Sequence, residues 1–152
     1  MDKIIISDTS CLIALSKIDK LDLLKGLFNE VIITSDVFQE FGSKLPDWII
    51  ITDVKDKQKQ IEIEVQLDKG EASSIALALE IENTTLIIDE IKGRRIAHSL
   101  NIDIIGTIGI IILAHKKGLI SDLTSLILRL VNKGFRLSDA LINKIIDKYG
   151  GK

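Results

Sequence analysis

The sequence predicts an α/β fold in three layers, with a mainly parallel central sheet of four to five strands flanked by helices. Three observations carry this. Residues 3–7, 30–33, 85–88 and 103–105 are short aliphatic runs of the kind found in strands buried on both faces. Longer stretches with helical spacing and capping residues lie between them, so strand and helix alternate along the chain. The chain is 46% hydrophobic but only 4% aromatic, which suits helices packed on a buried sheet better than a stacking-rich single-strand binder.

The elements follow in order. Residues 3–7 form the first strand, and Asp8-Thr9-Ser10 supplies N-cap chemistry for a helix through about Leu15. Residues 21–28 read as a second helix and residues 30–33 as a second strand. Thr34 and Ser35 are the caps expected for a helix over residues 36–41. Residues 48–52 form a further strand, placed at an edge because Pro46 stands beside it.

A helix is expected over residues 57–65. Gly70 opens another over residues 71–82, with Ile75, Ala76 and Leu79 on one face. Residues 85–88 form a strand, 92–100 a helix and 103–105 a strand. Helices near residues 108–116, 121–131 and 138–148 complete the chain, with Gly118, Gly134 and Gly150 as their stops. Leu123, Leu126, Ile127, Leu130 and Val131 recur at helical spacing and are expected in the core, their apolar excess also suiting a dimer or partner groove.

A chain of 152 residues without repeats or a low-complexity linker fits one domain over residues 1–152. Its formal charge of −2 excludes general attraction to polyanions, so nucleic acid would have to meet a local basic patch. The one cysteine, Cys11, follows a buried strand and reads as a small core residue. No cleavable signal is visible, and the apolar stretch over residues 102–114 falls short of the roughly 20 residues needed to span a bilayer. A cytoplasmic protein without membrane attachment is the expectation.

Two of the most hydrophobic strands end in acid: Ile4-Ile5-Ile6-Ser7-Asp8 and Leu86-Ile87-Ile88-Asp89-Glu90. In parallel sheets ligands bind at the carboxyl ends of strands where the strand order reverses. If these two strands are neighbours, Asp8 and Asp89 share that edge. Glu71 opens a helix near the same rim, and Glu40 stands toward the end of the third helix. Each has an ordinary structural role open to it: a cap for Asp8, a dipole partner for Glu71, a solvated helix residue for Glu40, a polar strand end for Asp89. Together they are harder to explain. Two carboxylates about 4 Å apart repel by roughly 4 kcal/mol at an effective dielectric near 20. An all-oxygen set selects hard ions such as Mg²⁺ or Mn²⁺, which carry phosphate chemistry.

At these residues the chain resembles a known family. Asp8-Thr9-Ser10 after the first strand is similar to the opening motif of PIN domains, the fold of VapC-type toxins. Asp8, Glu40, Glu71 and Asp89 match that family's acidic positions in order. The strings Gly70-Glu71-Ala72-Ser73-Ser74-Ile75-Ala76-Leu77-Ala78 and Asp89-Glu90-Ile91-Lys92-Gly93-Arg94-Arg95-Ile96-Ala97 resemble an uncharacterised prokaryotic PIN subfamily. So do Gly106-Thr107-Ile108-Gly109 and Lys116-Lys117-Gly118-Leu119-Ile120.

The resemblance implies a metal-dependent ribonuclease, often the toxin of a pair with a small antitoxin protein and often a homodimer. It implies Asp8, Glu71 and Asp89 as metal ligands, Glu40 completing the catalytic set, and Ser10 orienting Asp8 or a ligand water. Two departures stand out. Glu71 stands where many such toxins carry Asp, and Asp89-Glu90 replaces the usual Thr-x-Asp, so Glu90 is open to sharing the role of Asp89.

Lys92, Arg94 and Arg95 follow Asp89 at once and suit phosphate binding, the arginines by bidentate contact, or else form a solvated helix face. Lys116 and Lys117 offset a helix dipole. His98 and His115 lack a matching second ligand, and Trp48 is a core or partner contact. Among rival folds, a haloacid-dehalogenase phosphotransferase needs Asp-x-Asp, whereas Ser10 stands two after Asp8. A nucleotide-binding module needs a glycine-rich turn absent here, and a receiver domain needs paired acids after its first strand. The remaining alternative is a non-catalytic PIN-like protein that binds RNA or a protein partner.

Overall fold

Three consecutive isoleucines make β1 (Ile4–Ser7), and the pleat sends Ile5 and Ile6, both 0% exposed, into opposite cores. The computed structural model describes residues 3–150, so both extremes of the single domain expected over residues 1–152 lie outside the described residues. The chain continues through α1 (Thr9–Lys17), α2 (Asp22–Leu27), β2 (Glu30–Thr34), α3 (Ser35–Phe41) and β3 (Ile49–Thr52). Next come α4 (Lys57–Glu64), α5 (Lys69–Glu80), β4 (Thr84–Ile87), α6 (Ile91–Ser99) and β5 (Asp103–Ile105). It ends in α7 (Thr107–Lys116), α8 (Leu123–Asn132) and α9 (Asp139–Tyr149).

The sheet is five-stranded and all parallel, in the order β3-β2-β1-β4-β5. β1 lies centrally. From it the chain steps outward through β2 and β3, then returns to the other side for β4 and β5. The strand order therefore reverses between β1 and β4, which pair with Ser7 opposite Ile87. The condition that would place Asp8 beside Asp89 is met.

Each face of the sheet has its own core. On one, Ile5, Ile33, Ile49 and Ile87 pack with residues from α1, α2, α7, α8 and α9. On the other, Ile6, Ile32, Leu86 and Ile88 pack with α4, α5 and α6. This is the three-layer α/β fold expected from the alternation. Each fully buried Ile or Leu contributes roughly 1.5–3 kcal/mol relative to exposure. Leu123, Leu126, Ile127 and Leu130 are buried in the first core, as their spacing predicts.

Acidic and hydroxyl caps set most helix starts, and they correct several boundaries. α5 begins two residues before the expected start, because the Asp68 carboxylate accepts from the Glu71 amide. It also ends at Glu80, and Leu79 on its outer side is 41% exposed while Ile75 and Ala76 are buried. α8 likewise starts at Leu123, two residues after the expected start, because Asp122 caps it. Thr34 caps α3, while the Ser35 hydroxyl turns to Asp53. β3 occupies the edge beside Pro46. Gly118 and Gly134 adopt left-handed φ values of 81° and 102° as helix stops, whereas Gly150 is extended at −78°.

Candidate functional site

β1 ends at Ser7, and Asp8 is both the next residue and the N-cap of α1. Its Oδ1 accepts from the Cys11 amide at 3.0 Å, and its Oδ2 from the Asp89 amide at 3.3 Å. The side chain is 2% exposed. Burial, more than the neighbouring Asp89 and Glu71 charges, pushes its carboxyl up to about 7, although the two amide bonds pull the other way. Beneath it Cys11 is free and wholly buried, as expected, and burial pushes its thiol up.

Asp89 follows β4 and is held from the far side by Thr107. The Thr107 amide donates to Oδ1 at 2.8 Å and its hydroxyl to Oδ2 at 2.5 Å. The first turn of α7 thus orients this carboxylate. A Cβ at Gly106 would lie 2.9 Å from Asp89 Oδ1 and 3.0 Å from Arg94 Nη1, so the glycine lets both side chains pass.

Glu40 reaches the same rim from α3. Its Oε1 accepts from the Thr9 hydroxyl at 2.6 Å, and its Oε2 from the Gly70 amide at 3.0 Å, joining α3 to the first turns of α1 and α5. A Cβ at Gly70 would meet Glu40 Oε1 at 2.1 Å. Glu71, next in the chain, is half-buried. Burial first, then the charges of Asp68, Glu90 and Glu40, pushes its carboxyl up to about 7. Among the described residues no donor bonds its carboxylate.

The structure therefore gathers Asp8, Glu71 and Asp89 at the switch point of the sheet, with Glu40 behind Glu71. Among the described residues the one ion pair joins Lys59 to Glu62 on α4, so none of these acids has a paired cation. No three His, Cys, Asp or Glu side chains among the described residues come close enough together to hold a metal ion. The oxygens of Asp8, Asp89 and Glu40 accept from protein donors instead. The donor chemistry still fits a hard divalent cation, because two carboxyls are pushed up to about 7 by burial first and by neighbouring carboxylates next.

The other residues singled out in the sequence divide. Glu90 caps α6, its two oxygens accepting from the Lys92 and Gly93 amides. It faces Glu71 electrostatically but is itself committed to the helix end. Arg94 is half-buried, and its Nη1 donates to the Ile88 carbonyl at 3.0 Å, which fixes it next to the rim. Lys92 and Arg95 are exposed on α6. Ser10 is exposed and lines a groove between α1 and the turn after α8; Asp8 is oriented by backbone amides instead.

His98 is exposed, His115 meets the edge of Tyr149, and Trp48 packs against the first core. Thr9, Gly70 and Thr107 escaped the sequence reading as site residues. Each lies inside a string that carries the resemblance, and that was the available signal.

A family model described as a PIN domain matches residues 4–151. No curated protein matches the chain, and neither does any solved structure.

Proposed function

From the premise that this chain belongs to the PIN-domain family, we propose that it is a metal-dependent endoribonuclease that hydrolyses RNA phosphodiester bonds. The observation that carries the reading is the convergence of Asp8, Glu71 and Asp89 at the sheet's switch point without a cationic partner. These three would hold Mg²⁺ or Mn²⁺, and Glu40 would complete the set. When bound, such an ion supplies charge neutralisation at the phosphate and an activated water.

The chain's own residues do the rest. Thr107 holds Asp89, the Cys11 and Asp89 amides hold Asp8, and Thr9 with the Gly70 amide holds Glu40. Glu71, whose carboxylate no described donor engages, keeps both oxygens free for the ion. Arg94, fixed at the rim, and the exposed Arg95 and Lys92 receive the phosphate oxygens. Control by a small antitoxin protein, homodimerisation and a cytoplasmic setting belong to the same reading. No helix among the described residues is long and apolar enough to cross a membrane.

One observation favours a second reading, a non-catalytic RNA- or protein-binding module: three of the four acids already hold protein donors, and no metal-holding group of three side chains forms among the described residues. Incubating the protein with a mixed RNA substrate in Mg²⁺ or Mn²⁺ separates the two. Cleavage that EDTA stops and Asp8→Asn or Asp89→Asn abolishes supports the nuclease. RNA that is bound yet left intact in either metal favours the binder.

A further inference from the structure

The acidic rim repels the polyanion it is proposed to cut, so RNA bound there gains from cations beside the rim. On one side of the sheet α6 supplies Lys92, Arg94 and Arg95. On the opposite side, where α1 and α8 pack, the described residues form a groove of about 180 Å³.

We propose that this groove is a nucleotide subsite, taking the base of a nucleotide next to the scissile phosphate while Lys17 and Lys133 hold that nucleotide's outer phosphate. The inference rests on the nuclease reading above. The groove begins at Ser10, in the first turn of α1, the helix that Asp8 caps, so its upper end lies within one helical turn of the rim. Ile13, 37% exposed, and Ala14 form one apolar wall; Phe135, half-buried, stands on the other. An apolar cavity of about 150 Å³ admits a benzene ring, so there is room here for a flat ring seated against Phe135.

The far end is cationic. Lys17 Nζ lies 3.5 Å from the Lys133 backbone carbonyl, and both lysines line the groove. From Ser10 to Lys17 the helix rises about 10 Å, enough to carry one nucleotide from rim to mouth. An apolar slot between an acidic, metal-seeking end and a doubly cationic end matches a nucleotide with a phosphate on each side. It matches a neutral apolar peptide poorly, because such a peptide leaves both lysines unused.

The test uses the intact protein. Each of the four 5′-mononucleotides, and inorganic phosphate as a control, is titrated into ¹⁵N-labelled protein. Mononucleotides are expected to shift the amides of Ile13, Ala14, Gly134 and Phe135. Phe135→Ala should weaken binding about tenfold through lost stacking. The paired Lys17→Ala and Lys133→Ala changes, both at solvent-facing positions, should weaken mononucleotides but not free nucleosides. Shifts confined to α6, equal shifts with phosphate alone, or saturable binding of an acidic apolar peptide with none of the mononucleotides would overturn the subsite. RNA cleavage, measured in parallel, keeps the two readings apart. Cleavage untouched by Phe135→Ala and by the double lysine change removes the subsite and leaves the nuclease. Nucleotide binding at these amides without cleavage in any metal removes the nuclease and, with it, the placement beside a scissile phosphate, leaving only a nucleotide-binding groove.

Discussion

Replacing Asp8 by Asn, which keeps an N-cap residue, should stabilise the metal-free protein at alkaline pH. An acid whose folded pKa lies above its unfolded value stabilises the fold below the unfolded pKa and loses that contribution as pH rises through the folded one. For Asp8 the rise from 3.8 to about 7 corresponds to about 4 kcal/mol lost between those pH values. Asn carries no charge and escapes this loss. Its amide, however, has one acceptor oxygen where the carboxylate uses two, on the Cys11 and Asp89 amides. Losing one hydrogen bond to a charged group offsets about 1.5–3 kcal/mol.

The net is about 1–2 kcal/mol in favour of Asp8→Asn near pH 8 in EDTA, or roughly 3–6 °C in Tm for a domain of this size. Near pH 4 the advantage should vanish or reverse, since the wild-type carboxyl is then protonated when folded. A cation at about 100 times its Kd restores about 2.7 kcal/mol to the wild type alone. Melting followed by circular dichroism, at both pH values with EDTA or MnCl₂, reads all of this. If Asp8→Asn melts below wild type near pH 8 in EDTA, the burial penalty argued for the Asp8 carboxylate is refuted, since Asn caps a helix as well as Asp.

Three further outcomes follow from the same geometry. Thr107→Val, which keeps the amide bond to Asp89 but removes the hydroxyl bond, should cost about 1–2 kcal/mol in urea unfolding and reduce cleavage, while Thr107→Ser retains both. Gly70→Ala drives a methyl into Glu40 Oε1, so it should depress cleavage well beyond any loss of stability; equal activity would show that Glu40 is dispensable. Because Asp8 and Glu71 both release protons near 7, metal affinity measured by calorimetry should rise between about pH 6 and 8, with proton release on binding. A flat profile would mean that neither carboxyl meets the ion.

The legible part of this molecule was local. Asp8 and Asp89 could be marked because each interrupts an aliphatic strand at its carboxyl end, and capping chemistry near Asp8 and Thr34 fixed where helices begin. The start of α5 differs from its expected place, and Leu79 on its apolar stripe stays exposed, for the same reason that other elements could be read. Periodicity reports an apolar stripe, while what covers that stripe, and whether Asp68 or Gly70 opens the helix, is settled by neighbours. Thr107 shows the limit most plainly. It stands 18 residues after Asp89 and meets it only because β5 pairs beside β4.

What the sequence determined alone was the kind of fold, the family resemblance and the identities of the acids, since aliphatic runs, caps and motif strings act over a few residues. Tertiary structure decided that β1 and β4 are neighbours, that Glu40 spends its oxygens on Thr9 and Gly70, and that burial pushes Asp8 and Glu71 up to about 7. It also made the groove between α1 and the turn after α8. Hydrogen-bond partners and local dielectric depend on which distant segments pack together, and no short-range pattern in the chain encodes that.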